Sequence, residues 1–139
     1  MLHLMADALM TVVTAAAVLT VFSCLWMTIS EHATGEMAFA FDLKPVMIES
    51  GSMEPVIKTG AYVLLKKADY SEVREGDIIT FETERGYVTH RLVGIDERAF
   101  SAGEDDFLIT KGDANRIEDP ELLSPARIRG RVIHILNPL

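Results

Sequence analysis

A Ser-Gly-Ser segment at positions 50–52 has the residue types that nucleophilic catalysis requires. A nucleophilic serine needs backbone that a substrate can approach closely, which Gly51 permits, and a donor aimed at the developing oxyanion. Apolar residues stand on both sides, within 46–48 and 53–55. An ordinary turn between two strands would have a similar composition, so Ser52 is a candidate nucleophile only if the chain also supplies a base.

His90 is the residue best suited to be that base. It lies in the alternating run 87–93, which would place His90 on the same strand face as Val88 and Leu92. An imidazole changes charge near neutral pH and can accept a proton from a serine. A core histidine with a satisfied hydrogen bond is the plainer interpretation, but the occurrence of Ser52 in the same chain favours a general base.

A carboxylate would hold this imidazole in the productive tautomer. The acidic loop at 111–120 offers Asp113, Glu118 and Asp119. Taken alone, this segment is typical of a solvated surface loop. Its spacing does not indicate which of the three acids would contact the imidazole.

Lys66 and Lys67 are the alternative partners for a nucleophilic serine. Both follow an apolar run, where the charged end of a solvated strand is the ordinary explanation. A lysine base must instead be desolvated to lose its proton at neutral pH. A histidine base is therefore the preferred hypothesis.

The N-terminal part of the chain predicts a membrane anchor. Residues 8–29 include no Asp, Glu, Lys, Arg or His, and as a helix they would span roughly 33 Å, close to the hydrocarbon core of a bilayer. A cleaved secretory signal usually begins with basic residues and has a shorter apolar core. We predict a short tail at 1–7, a transmembrane helix at 8–29 with Trp26 near one interface, and a linker at 30–45.

Residues 46–139 are expected to form a β-rich catalytic domain. Apolar or alternating runs of strand length are separated by glycine-containing turn signals, and the runs lie at 61–65, 78–82, 87–95, 107–110 and 128–136. Positions 83–86 have the character of a hairpin tip. The predicted fold class is mostly β, a compact antiparallel sheet with one N-terminal transmembrane helix.

Composition argues against several other functions. The net charge of −8 disfavours nucleic acid and anionic lipid headgroups as main partners. The single cysteine, Cys24, excludes an intramolecular disulfide. No histidine has a second His or Cys at metal-ligand spacing, so neither a metal nor another cofactor is expected.

Three short segments resemble type I signal peptidases of the archaeal and endoplasmic-reticulum branch. They are Ser-Gly-Ser-Met-Glu-Pro at 50–55, Thr-His-Arg-Leu-Val at 89–93 and Thr-Lys-Gly-Asp-Ala-Asn at 110–115, in that order. The resemblance implies Ser52 as the nucleophile and His90 as its base.

The same resemblance assigns the remaining site residues. Asp119 ranks first as the partner that orients the histidine, and Asp113 ranks second. The Ser50 hydroxyl and the Ser52 backbone amide would form the oxyanion hole. Met53 and Pro55 are expected to contact the substrate.

The function implied is that of a membrane-bound serine endopeptidase that removes signal peptides from exported preproteins, cutting after small residues. Its partners would be signal peptides, the lipid bilayer and accessory subunits, without nucleic acid. It would cross the cell membrane or the endoplasmic-reticulum membrane once, with the catalytic domain on the extracytoplasmic or lumenal side. Acidic residues after the apolar segment, Glu31, Glu36 and Asp42, favour that orientation.

Two alternatives compete with this interpretation. Self-cleaving repressors of the DNA-damage response resemble the same catalytic region, but they have lysine in place of His90 and carry DNA-binding domains. An anchored, non-catalytic β-domain that binds an extracytoplasmic partner would use Ser52, His90 and both aspartates only structurally.

Overall fold

The computed structural model describes residues 2–139, which divide into two compact units that meet in sequence between Phe41 and Asp42. Met1, the first residue of the predicted tail at 1–7, lies outside the described residues. The N-terminal unit is built on one helix, and the C-terminal unit, from Asp42 to Leu139, is built on one sheet.

The helix α1 spans Leu2–Thr34 and extends beyond the apolar stretch 8–29 at both ends. Its Met5–Thr34 portion is long and apolar enough to cross a bilayer. Hydroxyl groups along α1 donate to the carbonyl four residues earlier, as Thr14 does to Met10 at 2.7 Å, so they are satisfied without water. The helix ends where Gly35 adopts a positive φ of 71° and donates its amide to the Glu31 carbonyl.

The C-terminal unit has a six-stranded antiparallel sheet, which confirms the predicted fold class. Its order is β1-β2-β6-β3-β4-β5. The strands are β1 (Leu43–Met47), β2 (Tyr62–Lys67), β3 (Ile78–Thr83), β4 (Gly86–Ile95), β5 (Leu108–Lys111) and β6 (Ile128–Leu136). The five runs identified in the sequence correspond to β2 through β6.

Strand β1 begins inside the segment 30–45 that the sequence assigned to a linker. Pro45 lacks a backbone N–H, and a proline within a short run of residues counts against predicting a strand there. Strand β1 lies at the edge of the sheet and pairs only with β2. The N–H group that Pro45 lacks would have faced the unpaired side of β1, so its absence removes no hydrogen bond from the sheet.

The hairpin predicted at 83–86 is confirmed. Thr83 pairs with Gly86 at the end of the β3–β4 ladder, and Gly86 takes a φ of 119° that other residues rarely adopt. The same ladder places His90 opposite Ile79, which is completely buried. The hairpin therefore carries the candidate base into the interior.

A short helix, α2 (Glu97–Ala102), follows β4 and was not predicted, because six residues are too few to show a helical period. Asp96 caps its first turn by accepting hydrogen bonds from Arg98 and Ala99, and Gly103 ends it in the left-handed conformation. One side of the sheet packs around a cluster of buried residues, namely Ala68, Val73, Ile79, Phe81, Leu92, Leu108, Leu123 and Ile128.

Candidate active site

Ser52 lies on a single 3-10 turn, Gly51–Met53, that follows β1. Met53 has no exposed surface and its carbonyl accepts the Ile57 amide at 2.9 Å, so the turn is anchored in the core directly after the serine. Glu54 accepts hydrogen bonds from the Thr59 hydroxyl and amide, at 3.0 and 3.2 Å. These contacts fix the backbone of the turn and leave the Ser52 side chain half-buried.

His90 contacts Ser52 and Asp119 through its two ring nitrogens. Its Nε2 lies 3.1 Å from Ser52 Oγ, and its Nδ1 lies 2.6 Å from Asp119 Oδ2. An ionised carboxylate can only accept, so the proton must reside on Nδ1. The lone pair of Nε2 then faces the serine hydroxyl, which is the arrangement that general-base activation of a serine requires.

Asp119 is itself held by Thr110 on β5. The Thr110 hydroxyl donates to Asp119 Oδ2 at 2.7 Å, and the Asp119 amide donates to the Thr110 carbonyl at 2.8 Å. Thr110 is only 1% exposed, so its hydroxyl needs a buried acceptor. Sequence reasoning assigned Thr110 no role, although a threonine on the buried face of a predicted strand was the available signal.

The structure places Asp113 against Arg91 and not against His90. Arg91 donates through Nε and Nη2 to the two carboxylate oxygens of Asp113, at 2.8 and 2.6 Å, and through Nη1 to the Gly76 carbonyl at 2.6 Å. The hydrogen-bonded carboxylate raises the pKa of Arg91. Because His90 and Arg91 are successive residues of β4, this bidentate pair attaches the loop after β5 to the strand that carries the histidine.

Gly112 brings that loop against the backbone of Ser52, the candidate nucleophile. The Ala114 amide donates to the Ser52 carbonyl at 2.9 Å. A Cβ atom built on Gly112 would lie 2.6 Å from the same carbonyl oxygen and 2.8 Å from Asn115 Nδ2. Only glycine permits so close an approach. Gly112 lies in the Thr-Lys-Gly-Asp-Ala-Asn segment at 110–115, but no function was predicted for it from the sequence.

The predicted oxyanion donors lie beside the nucleophile. Ser50 Oγ is 3.2 Å from Ser52 Oγ. Within residues 2–139 the Ser52 amide donates to no acceptor, as is usual for the first N–H groups of a helical turn. Both groups are therefore available to a developing negative charge next to the serine.

A groove of about 420 Å³ runs past these groups. Its lining residues come from the end of β1, the segment after it that bears Ser52, and strands β3 and β4. They are Val46, Met47, Ile48, Glu49, Ser50, Ser52, Thr80, Tyr87, Val88, Thr89 and His90. Met53 and Pro55, which were expected to contact substrate, do not line it: Met53 is buried beneath the turn and Pro55 is exposed elsewhere.

The other candidates from the sequence lie away from this arrangement. Lys66 is exposed and its ammonium is 3.9 Å from Glu72. Lys67 and Glu118 are also exposed, and none of the three lines the groove. In the part of the chain that the structure describes, no group of three or more His, Cys, Asp or Glu side chains is arranged to hold a metal ion.

A serine, a histidine and an aspartate joined in series by hydrogen bonds form the arrangement found in serine hydrolases. The family model described as signal peptidase, peptidase S26, matches residues 4–108, and the chain belongs to this family. The matched residues include Ser52 and His90 and end before Asp113 and Asp119.

Individual relatives agree with the family. The chain is 39% identical over 100 residues to signal peptidase I W of Bacillus subtilis, covering 70% of this chain and 50% of that protein. It is 38% identical over 80 residues to the signal peptidase complex catalytic subunit SEC11 of Chaetomium globosum, covering 55% and 44%. The chain thus spans about half the length of the curated relatives it matches.

Substitutions of the two aspartates are expected to have different effects on kcat and Tm. Asp119→Asn replaces the carboxylate by a neutral amide, whose NH2 group can face Nδ1 of His90 and shift the ring to the wrong tautomer, and which no longer stabilises the imidazolium by charge. We expect kcat for the proposed preprotein cleavage to fall about 10³- to 10⁴-fold with little change in Tm. Asp113→Asn leaves the half-buried Arg91 without its bidentate partner, so Tm should fall clearly and kcat less than for Asp119→Asn. Cleavage rates and melting curves of both variants provide the check, and the reverse order of kcat values would contradict it.

Gly112→Ala tests the contact with the backbone of Ser52. Its new methyl group must displace either the Ser52 carbonyl or the loop, and a misplacement of about 1 Å can cost about 10²-fold in rate. The matched control is Gly94→Ala, since a Cβ there meets nothing within 4 Å. We expect the control to cleave within about twofold of the wild-type rate. Equal rates for both variants would show that the close approach is irrelevant to activity.

Proposed function

We propose that this chain is a membrane-anchored serine endopeptidase that removes signal peptides from exported preproteins and cuts after small residues. The observation that carries the proposal is the hydrogen-bonded series Ser52–His90–Asp119, in a chain that belongs to the signal peptidase family. The names of the relatives, a signal peptidase and a signal peptidase complex catalytic subunit, support the same reaction.

The chemistry follows from the positions of the groups. Ser52 Oγ attacks the scissile carbonyl while His90 Nε2 accepts the hydroxyl proton, and Asp119 stabilises the imidazolium. The oxyanion accepts hydrogen bonds from the Ser52 amide and the Ser50 hydroxyl. His90 then gives its proton to the leaving amine, which departs as the new N-terminus. Water, deprotonated by His90, hydrolyses the acyl-enzyme and regenerates Ser52.

The substrate would bind as an extended strand along the unpaired edge of β1. Ile48 directs its backbone N–H and carbonyl toward Ala61 and Gly60, on the β2 side. Since these groups alternate along an antiparallel strand, the backbone groups of Met47 and Glu49 point to the outer edge. Residues one and three positions before the cut would face Val46 and Ile48, where the limited room favours small side chains.

The helix α1 would serve as a single-pass anchor in the cell membrane or the endoplasmic-reticulum membrane. Its length and apolar composition support this, and the acidic residues that follow it favour an extracytoplasmic or lumenal catalytic domain. The SEC11 relatives are named as catalytic subunits of a complex. Accessory subunits are therefore a further proposed partner of this chain, besides signal peptides and the bilayer.

Ser52→Ala tests the nucleophile directly. The full chain in detergent or proteoliposomes is incubated with a preprotein, and product is sequenced to locate the cut. We expect the wild type to cut after a small residue and Ser52→Ala to lose more than about 10⁴-fold of the rate with an unchanged Tm.

Ser50→Ala is the matched variant two positions away. It should lose only the supplementary oxyanion donor, about 10²-fold in rate. Persistent cleavage by Ser52→Ala would refute the assigned nucleophile. A folded wild-type protein that leaves every preprotein intact would refute the proposed function and favour a non-catalytic binding domain.

A further inference from the structure

Glu49 carries the acidic side chain of the groove. Of the lining residues, all of which the structure describes, it alone has a carboxylate, and it stands next to Ser50 and three residues before Ser52. Within residues 2–139 this carboxylate has no hydrogen bond or ion pair. The nearby Glu54 differs, because its carboxylate is bound to Thr59. Glu49 is therefore free to interact with a group that enters the groove.

The side of the sheet that Glu49 faces follows from the alternation along β1 and the residues after it. Val46 is half-buried and Ile48 is 7% exposed, whereas Met47 and Glu49 are exposed. Successive side chains of a strand point to opposite faces, so Glu49 lies on the exposed face with Met47. A peptide that extends the sheet beyond β1 distributes its own side chains over the same two faces.

This register, which rests on the proposed function, places one substrate residue beside Glu49. If the small residues one and three positions before the cut face Val46 and Ile48, the residue two positions before the cut must face the opposite side. In the part of the substrate before the cut, it is the exposed-face residue nearest the scissile bond. On β1 and the residues that follow it, Glu49 is likewise the exposed-face residue of the groove nearest Ser52. We propose that Glu49 selects preproteins with a basic residue, Lys or Arg, two positions before the cut.

The expected preference is moderate, because opposite charges on neighbouring strands at an exposed site interact weakly. Three preproteins that differ only in Lys, Gln or Glu two positions before the cut are compared with the full chain in detergent. For the wild type we expect kcat/KM to fall from Lys to Gln and from Gln to Glu, by roughly two- to fivefold at each step. High salt should reduce the ratio, since screening weakens exposed pairs.

Charge variants isolate the contribution of Glu49. Glu49→Gln should bring the Lys-to-Glu ratio of kcat/KM close to one, and Glu49→Lys should reverse the order. The control Glu104→Gln makes the same charge change at an exposed position outside the groove and should keep the wild-type order.

The outcomes separate this inference from the proposed function. Cleavage of all three preproteins with the same ratio in wild type and Glu49→Gln would overturn the selection by Glu49 and leave the peptidase assignment intact. Failure of the wild type to cleave even the Gln preprotein would overturn the peptidase assignment and, with it, this inference.

Discussion

The imidazole of His90 is the group on which the site depends, because a buried ring with two polar nitrogens needs two partners. His90 is 9% exposed and stands on a strand whose neighbours in the sheet are β3 and β5. Its partners come from distant parts of the chain, the turn before β2 and the loop after β5. Satisfying one buried side chain therefore joins the two segments that bear the hydroxyl and the carboxylate. The Phe81 ring, edge-on to the imidazole at 6.4 Å, further restricts its orientation.

The loop after β5 is attached to the segments that bear His90 and Ser52 at three places. Asp119 holds the imidazole, Asp113 binds the next residue of β4, Arg91, and Gly112 lies against the carbonyl of Ser52. Because Arg91 points to the opposite face from the histidine, the loop is attached to both faces of one strand. A shift of this loop would disturb the serine and the imidazole together. This shared support is the physical reason why we expect Asp113 to matter to the site without touching the histidine.

The parts of this molecule that could be predicted from the sequence are those determined by local patterns of residues. Alternation in 87–95 and the turn residues at 83–86 identified the hairpin that carries His90, and the apolar stretch identified α1. The choice among the acids of 111–120 could not come from spacing, since it depends on how an irregular loop folds over β4. The contact of Gly112 with Ser52 was equally invisible, because it joins residues distant in sequence. The family resemblance, rather than periodicity, ranked Asp119 first.

The unpaired edge of β1 is the strand along which we propose that the substrate binds, and its sequence limits how much of that edge can pair with another chain. Free strand edges invite pairing with other chains, and proteins limit this with proline and charged side chains. Pro45 lies among the residues whose backbone faces outward, and it supplies no N–H there. Pro45 therefore separates the outward backbone groups of Leu43 from those of Met47 and Glu49, which lie toward the turn that bears Ser52. In the binding mode that we propose, a peptide beside Ser52 would meet two successive outward-facing residues with complete backbone groups, whereas Pro45 would interrupt pairing farther along this edge.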